Sequence, residues 1–136
     1  MIGRLFAPGG KMKRNPVAWF EIYVQDMDRA KRFYESVFQV KLQKLNAPFP
    51  GVELWAFPAD MGNYGTAGAL VKMDGFPSGG NSTLVYFHCD DCAVEEGRVA
   101  SSGEQVQRSK VSIGEYGYIS VVLDTEGNMI GLHSMQ

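Results

Sequence analysis

Two stretches of this chain repeat one strand-then-helix pattern, and such a repeat limits the fold more than any single motif. The first is Trp19-Phe20-Glu21-Ile22-Tyr23-Val24-Gln25-Asp26, followed by Met27 to Phe38. The second is Leu84-Val85-Tyr86-Phe87-His88-Cys89-Asp90-Asp91, followed by Cys92 to Gly103. Each extended run ends in an aspartate suited to cap a helix, because its side chain can accept from free backbone N–H groups of the first turn. At this offset of 65 positions only the aspartate is identical, so the repeat is one of pattern. A duplicated module is expected to build its binding site between the copies.

With 136 residues, the chain has the length of one domain with a substantial core. Its 45% hydrophobic and 21% charged content is that of an ordinary globular protein. The net charge is −2 and no basic stripe is visible, which argues against nucleic acid as a partner. No apolar run approaches the ~20 residues of a membrane span. Residues 1–15 differ from the rest: Arg4, Lys11, Lys13 and Arg14 surround Gly9-Gly10, and Leu5-Phe6-Ala7 falls short of the ~7–15-residue core of a signal peptide. They are read as a basic flexible tail ahead of a single domain over residues 16–136, and the protein is expected in the cytoplasm. Cys89 and Cys92 form a C-x-x-C, but one pair does not complete a tetrahedral zinc site, and Asp90-Asp91 between them disfavours thiolate. Both read as packing residues.

In the first helix, Ala30, Phe33, Tyr34, Val37 and Phe38 recur at i, i+3, i+4, i+7 and i+8, which makes one apolar face. Strand-like runs follow at Val40 to Leu45, Val52 to Phe57 and Thr66 to Met73, separated by turn-rich segments. Residues 74–82, with Pro77 and Gly79-Gly80, form the junction between modules at about 16–73 and 83–136. In the second helix, Glu95-Glu96 interrupt the apolar face and Gly97 costs ~1 kcal/mol relative to Ala. Gln105 to Arg108, Tyr118 to Leu123 and Met129 to Ser134 complete the second module, the last two flanking the turn Asp124-Thr125-Glu126-Gly127-Asn128. Each half therefore reads strand, helix, strand, strand, strand, an α+β pattern.

The run Phe20 to Asp26 with Arg29-Ala30 and Phe33-Tyr34, the run Val85 to Asp91, and the run Asp124 to His133 together resemble the vicinal-oxygen-chelate superfamily of glyoxalase I, extradiol dioxygenases and bleomycin-resistance proteins. The resemblance covers nearly everything from Asn15 onward. It implies two βαβββ modules forming a cup-shaped mixed sheet with helices on its outer face, often completed in a dimer. It also implies, in metal-dependent members, a divalent ion held in the cup. The positions that resemblance assigns to metal ligands are here Trp19, Leu84 and Gly131, with the fourth among Ala67 to Leu70. None of these can ligate through its side chain. No metal and no other cofactor is therefore expected, and the alternative is a divalent ion on ligands relocated to Glu21, His88 and His133.

Strand alternation converts this departure into a map of the cup. If Trp19 points inward, so do Glu21 and Tyr23, with Phe20, Ile22 and Val24 toward the helix. By the same logic Leu84, Tyr86 and His88 face the cup, and Gly131 shares a side with His133. Glu21 and His88 are the candidates for acid–base catalysis. For Glu21 the plain alternative is an orienting carboxylate, and for His88 a half-buried histidine. Trp19, Tyr23 and Tyr86 can stack on a planar ligand or simply fill the core. Trp55 is a candidate cavity wall whose facing its own strand does not fix. Tyr64 and Tyr116 lie in glycine-rich loops that can serve as a lid or as plain turns. His133 completes the candidate ligand-binding set. The reading is a glyoxalase-like, bleomycin-resistance-like protein that binds a small molecule in an aromatic cup, as a homodimer. The alternative is a metal-dependent lyase, isomerase or dioxygenase of glyoxalase type.

Overall fold

The computed structural model describes residues 14–80 and 83–136. Most of the expected tail and the last two residues of the expected junction thus lie outside the described residues. Of the tail, Arg14 is described, and its guanidinium meets Asp90 at 3.1 Å.

The first module runs β1 (Val17–Tyr23), α1 (Met27–Phe38), β2 (Gln43–Leu45), β3 (Val52–Ala56) and β4 (Ala67–Met73). The second runs β5 (Thr83–His88), α2 (Cys92–Ser101), β6 (Val106–Ser112), β7 (Tyr118–Leu123) and β8 (Met129–Ser134), with a short 3-10 turn at Gly114–Tyr116 before β7. Both helices start where the aspartates predicted. Asp26 accepts from the backbone N–H of Arg29 at 3.1 Å, and Asp91 from that of Ala93 at 3.0 Å. Each cap has extended backbone, the geometry an N-cap requires.

All eight strands form one curled mixed sheet in the order β2-β3-β4-β1-β5-β8-β7-β6. Within each module the first and last strands are parallel neighbours, β1 with β4 and β5 with β8. The modules join where β1 and β5 pair antiparallel, with Trp19 opposite Tyr86 and Glu21 opposite Leu84. The paired modules therefore belong to a single chain, in an α+β fold of two βαβββ units.

The sheet separates the side chains as the period of two predicted. On the concave face, Tyr23, Leu54, Ala69, Val71, Leu84 and Tyr86 form a buried cluster, with Trp19, Phe76 and Ile119 packed against it. On the other face, Val24, Met27, Leu42 and Leu70 join Ile22, Ala30 and Tyr34 beneath α1. Cys89, Cys92, Val122 and Leu132 join Val99 and Ile130 beneath α2. Both cysteines are thus packing residues, and burial, followed by the neighbouring Glu95, pushes the Cys89 thiol up to about 12. The buried Ser134 hydroxyl accepts from the N–H of Cys92 at 3.0 Å, which pins the start of α2 to the last strand.

Two local features depart from the sequence expectation. The five-residue stripe of α1 does not dock as a unit. Met27, Ala30 and Tyr34, an i, i+3, i+7 ridge, face the sheet, whereas Phe33, Val37 and Phe38 are 57%, 53% and 60% exposed. The helix is rotated toward the narrower ridge that includes its first residue. In the second module, β6 extends to Ser112 instead of ending near Arg108, with register shifts on both sides of Arg108.

Glycines at two parallel cross-strand pairs admit aromatic rings. Gly68 pairs with Phe20 and Gly131 with Tyr86. A Cβ at either glycine would run into the ring of its partner. Gly131→Ala is expected to destabilise the fold by ~1–3 kcal/mol through overpacking. In a Tyr86→Leu background the loss should shrink, since the ring is gone. An equal loss in both backgrounds, measured by urea unfolding, would contradict this packing account.

Candidate functional site

At the centre of the concave face lies one carboxylate. Glu21 sits in β1 between Trp19 and Tyr23, its neighbours two residues away on the same face. The indole N–H of Trp19 donates to Glu21 Oε2 at 3.2 Å, and the Tyr23 hydroxyl donates to Oε1 at 2.7 Å. From the second module, the Tyr86 hydroxyl reaches the same Oε1 at 3.4 Å. Tyr86 is the diagonal cross-strand neighbour of Glu21, a spacing long side chains can bridge. Around this group the face is apolar: fully buried Ala69 flanks Glu21 in β4, and Leu84 stands opposite in β5.

Electrostatics follows from this placement. Burial raises the proton affinity of the Glu21 carboxyl above its usual value, and the hydrogen bonds from Tyr23, Trp19 and Tyr86 pull it partly back. The phenols of Tyr23 and Tyr86 are pushed up by their own burial and then by the Glu21 charge. Both stay protonated and remain donors. A buried carboxyl with raised proton affinity is suited to anchor a polar group or to exchange a proton with one.

The two histidines form a separate group. His88 and His133 are register partners in β5 and β8. His133 Nε2 lies 2.6 Å from the carbonyl oxygen of Tyr116, which can only accept, so that nitrogen is the donor. Tyr116 thus reaches this group through its backbone. The His88 imidazole has its proton affinity lowered by burial, then by Arg14 and by His133. Along β5, His88 is four positions beyond the partner of Glu21, roughly 13 Å at the rise of a strand. The structure brings Trp19, Glu21, Tyr23 and Tyr86 together, and places His88, His133 and Tyr116 at another end of the face.

Trp55 is not a wall of the cup. It pairs with Leu70 and packs on the α1 side, where the Lys31 ammonium lies 3.3 Å from its ring centroid and its indole N–H donates to Glu53 at 2.8 Å. No anchor in β3 fixes its facing from sequence. The pairing of Ala56 with Ala69 and of Leu54 with Val71 puts Leu54 and Ala56 inward and Trp55 outward. Tyr64 is exposed at the surface.

Sequence reasoning passed over three residues at this face. Phe76, in the junction, stacks on Tyr23 with centroids 4.9 Å apart. An aromatic side chain between Gly75 and Pro77 was the available signal. Arg108 pairs with Val121, in the same row across the sheet as Gly131 and Tyr86. Its guanidinium lies 4.7 Å over the ring of Phe49, in the loop between β2 and β3. That loop belongs to the opposite end of the sheet, so the contact spans the mouth of the concave face. Open clefts of about 410 and 220 Å³ lie near the start of α1, around Gln25, Lys72 and Asp26 or Asp74, and do not include the Glu21 group. The convergent chemistry, more than the open space, marks the Glu21 group as the candidate site.

The family's metal does not fit the residues present. Trp19, Leu84 and Gly131 offer no ligating side chain, and the ring of Tyr86 fills the space a side chain at 131 would take. Glu21, His88 and His133 do not converge either: among the described residues no group of three or more His, Cys, Asp and Glu could hold a metal ion.

Comparison with known proteins agrees with this architecture. A family model described as the Glyoxalase/Bleomycin resistance protein/Dioxygenase superfamily matches residues 17–132. Among solved structures, a Streptomyces coelicolor methylmalonyl-CoA epimerase in complex with 2-nitronate-propionyl-CoA superposes with a TM-score of 0.66 at 16% identity, over 88% of this chain and 96% of that one. A methylmalonyl-CoA epimerase from Mycobacterium tuberculosis gives 0.64 at 16% identity, over 93% and 94%. A hypothetical protein from Bacillus halodurans C-125 gives 0.68 at 13% identity, over 91% and 96%. At these identities the likeness is one of fold. No curated protein matches the sequence.

The raised proton affinity of Glu21 has a signed consequence for stability. In the unfolded chain its carboxyl titrates near 4.5. Above that pH the unfolded state ionises first, so the wild-type fold loses stability as pH rises from 4.5 through the higher folded value. Glu21→Gln removes this dependence. The melting temperature of the variant minus that of wild type should therefore climb as pH rises above 4.5 and then level off. A difference that stays flat between about pH 4 and 9 would contradict the burial account.

Proposed function

The chain belongs to the Glyoxalase/Bleomycin resistance protein/Dioxygenase superfamily, and from that premise we propose that it binds a small molecule on the concave face, anchored by Glu21 and without the superfamily's usual metal. One observation carries this reading: three donors from both modules converge on a single carboxylate within an apolar patch of the face. Burying a carboxylate is costly even when it is hydrogen-bonded, and an apolar side chain would serve a purely structural core better. The rings of Trp19, Tyr23 and Tyr86 flank it and supply stacking surface for a flat ligand. Metal-independent acid–base catalysis is the enzymatic form of the same reading, favoured by the raised proton affinity of Glu21. A relocated divalent ion is disfavoured, because Glu21 is engaged by three donors and the histidines stand apart from it.

A cytoplasmic location, with no nucleic acid or membrane partner, belongs to the same reading. It is supported by the mild net charge and by the absence, among the described residues, of a helix long and apolar enough to cross a membrane.

A thermal-shift screen of small aromatic molecules, followed by titration calorimetry, tests the anchor. Ligands of the cup are expected to bind Glu21→Gln about tenfold to hundredfold more weakly, the range for losing a hydrogen bond to a charged group. Ligands that bind the variant as tightly as wild type would remove Glu21 from the site. Protein purified without chelators or added metal is expected to carry substoichiometric zinc, nickel, manganese and iron. A full equivalent that disappears in Glu21→Ala would overturn the metal-free reading. A homodimer is also part of the proposal, since α1 leaves Phe33, Val37 and Phe38 exposed and apolar surface of this kind is often covered by association. Light scattering at micromolar concentration should give twice 15.0 kDa, and a monomeric mass would refute it.

A further inference from the structure

Arg108 is placed by more than chance exposure. It sits in β6 with register shifts on either side, and such bulges re-aim a side chain relative to a regular strand. The hydroxyl of the fully buried Ser120 donates to the Arg108 carbonyl at 3.0 Å and fixes the backbone at that point. Register puts Arg108 in line with Val121, Gly131 and Tyr86, and Gly131 contributes no side chain to that row. The guanidinium then reaches over Phe49 at 4.7 Å, from the far end of the sheet. Tyr86 senses two charges, Glu21 from one side and Arg108 from the other.

Among the described residues no carboxylate pairs with Arg108, although Arg14 and Lys110 each have one. A guanidinium resting on an aromatic ring still has five N–H donors in a planar fork to offer, and that fork matches a planar oxyanion. Lys31 and Lys110 point elsewhere, Lys31 onto Trp55 on the α1 side and Lys110 toward Asp91 at α2.

Taking the small-molecule reading of the concave face as given, we infer that its ligand is a small flat carboxylic acid, whose carboxylate pairs with Arg108 at the mouth while its ring lies among Phe49, Tyr86 and Trp19. In this arrangement Phe49 holds the guanidinium in place when no ligand is present. The ligand's acid group takes the in-plane donors that the ring leaves unused. Glu21 lies deeper on the face and anchors a polar substituent at the other end of the ligand. Arg108 is then the residue that determines specificity, and Glu21 the anchor.

The test compares matched acids and amides that carry a polar group at the far end, para-hydroxybenzoate with para-hydroxybenzamide and para-hydroxycinnamate with para-hydroxycinnamamide, by titration against wild type, Arg108→Gln, Arg108→Lys and Glu21→Gln. In wild type each acid is expected to bind about tenfold or more tightly than its amide. Arg108→Gln should collapse that preference to within about threefold, and Arg108→Lys should restore part of it, having the charge but not the fork. Circular dichroism and melting of each variant separate loss of binding from loss of fold. An acid preference that survives Arg108→Gln, or amides that bind as well as acids to wild type, would overturn the inference. If Glu21→Gln still weakens those ligands, the cup reading survives that outcome. If neither acids nor amides bind wild type, the inference falls, and the thermal-shift screen decides the cup reading separately.

Discussion

Because β1 and β5 run antiparallel with Trp19 opposite Tyr86 and Glu21 opposite Leu84, each module meets the other through equivalent positions. Trp19 and Leu84 are counterparts in the repeat, as are Glu21 and Tyr86, so the repeat maps the pair Trp19–Tyr86 onto the pair Leu84–Glu21, about the central pair of counterparts Phe20 and Val85. This seam fixes which side chains can share the concave face, and a slip of one residue would turn every one of them over. It also makes the site a joint product, with Trp19, Glu21 and Tyr23 from one module and Tyr86 from the other. The outer strands follow from the seam by parallel pairing, and the helices cover the remaining face.

The two halves use equivalent slots for different purposes. In the first module the slot at 21 carries a charge-bearing group, and in the second the slot at 86 carries a donor that helps to satisfy it. The desolvation of Glu21 is thus offset partly by the residue the duplication placed in the matching position. Helix docking differs as well. The α1 side is rich in aromatic contacts, with Tyr34 edge-on to Phe57 at 5.6 Å. The α2 side relies on small buried groups such as Cys92 and on polar ties from Glu96 and Asp91 to β6.

Much of the fold was legible in the sequence because its signals are local. The period of two in residues 19–24 and 84–89 set the facing of both central strands, and Asp26 and Asp91 marked the helix starts. The facing of Trp19, Glu21, Tyr23 and Tyr86 followed from alternation once the superfamily resemblance had set Trp19 and Leu84 inward. The rest of the site was hidden because its determinants are not local. Trp55 lies in a short strand whose facing depends on its pairing with β4. Phe49 and Arg108 are far apart in sequence and meet only because the sheet curls. The bulges around Arg108 also break the alternation that would have shown where its side chain points. Separation of His88 from Glu21 required the register between strands, which no single strand contains.

The ring of Tyr86 lying over Gly131 has a consequence for the routes by which this protein can change. A side chain added at 131 would run into the ring where it lies, and shortening Tyr86 alone removes a donor from the Glu21 carboxylate. A bulky side chain at 131 is therefore accommodated without strain only after position 86 has changed, through an intermediate that has lost a tie on its buried carboxylate. The order of substitutions is constrained, and the two positions are epistatic by geometry.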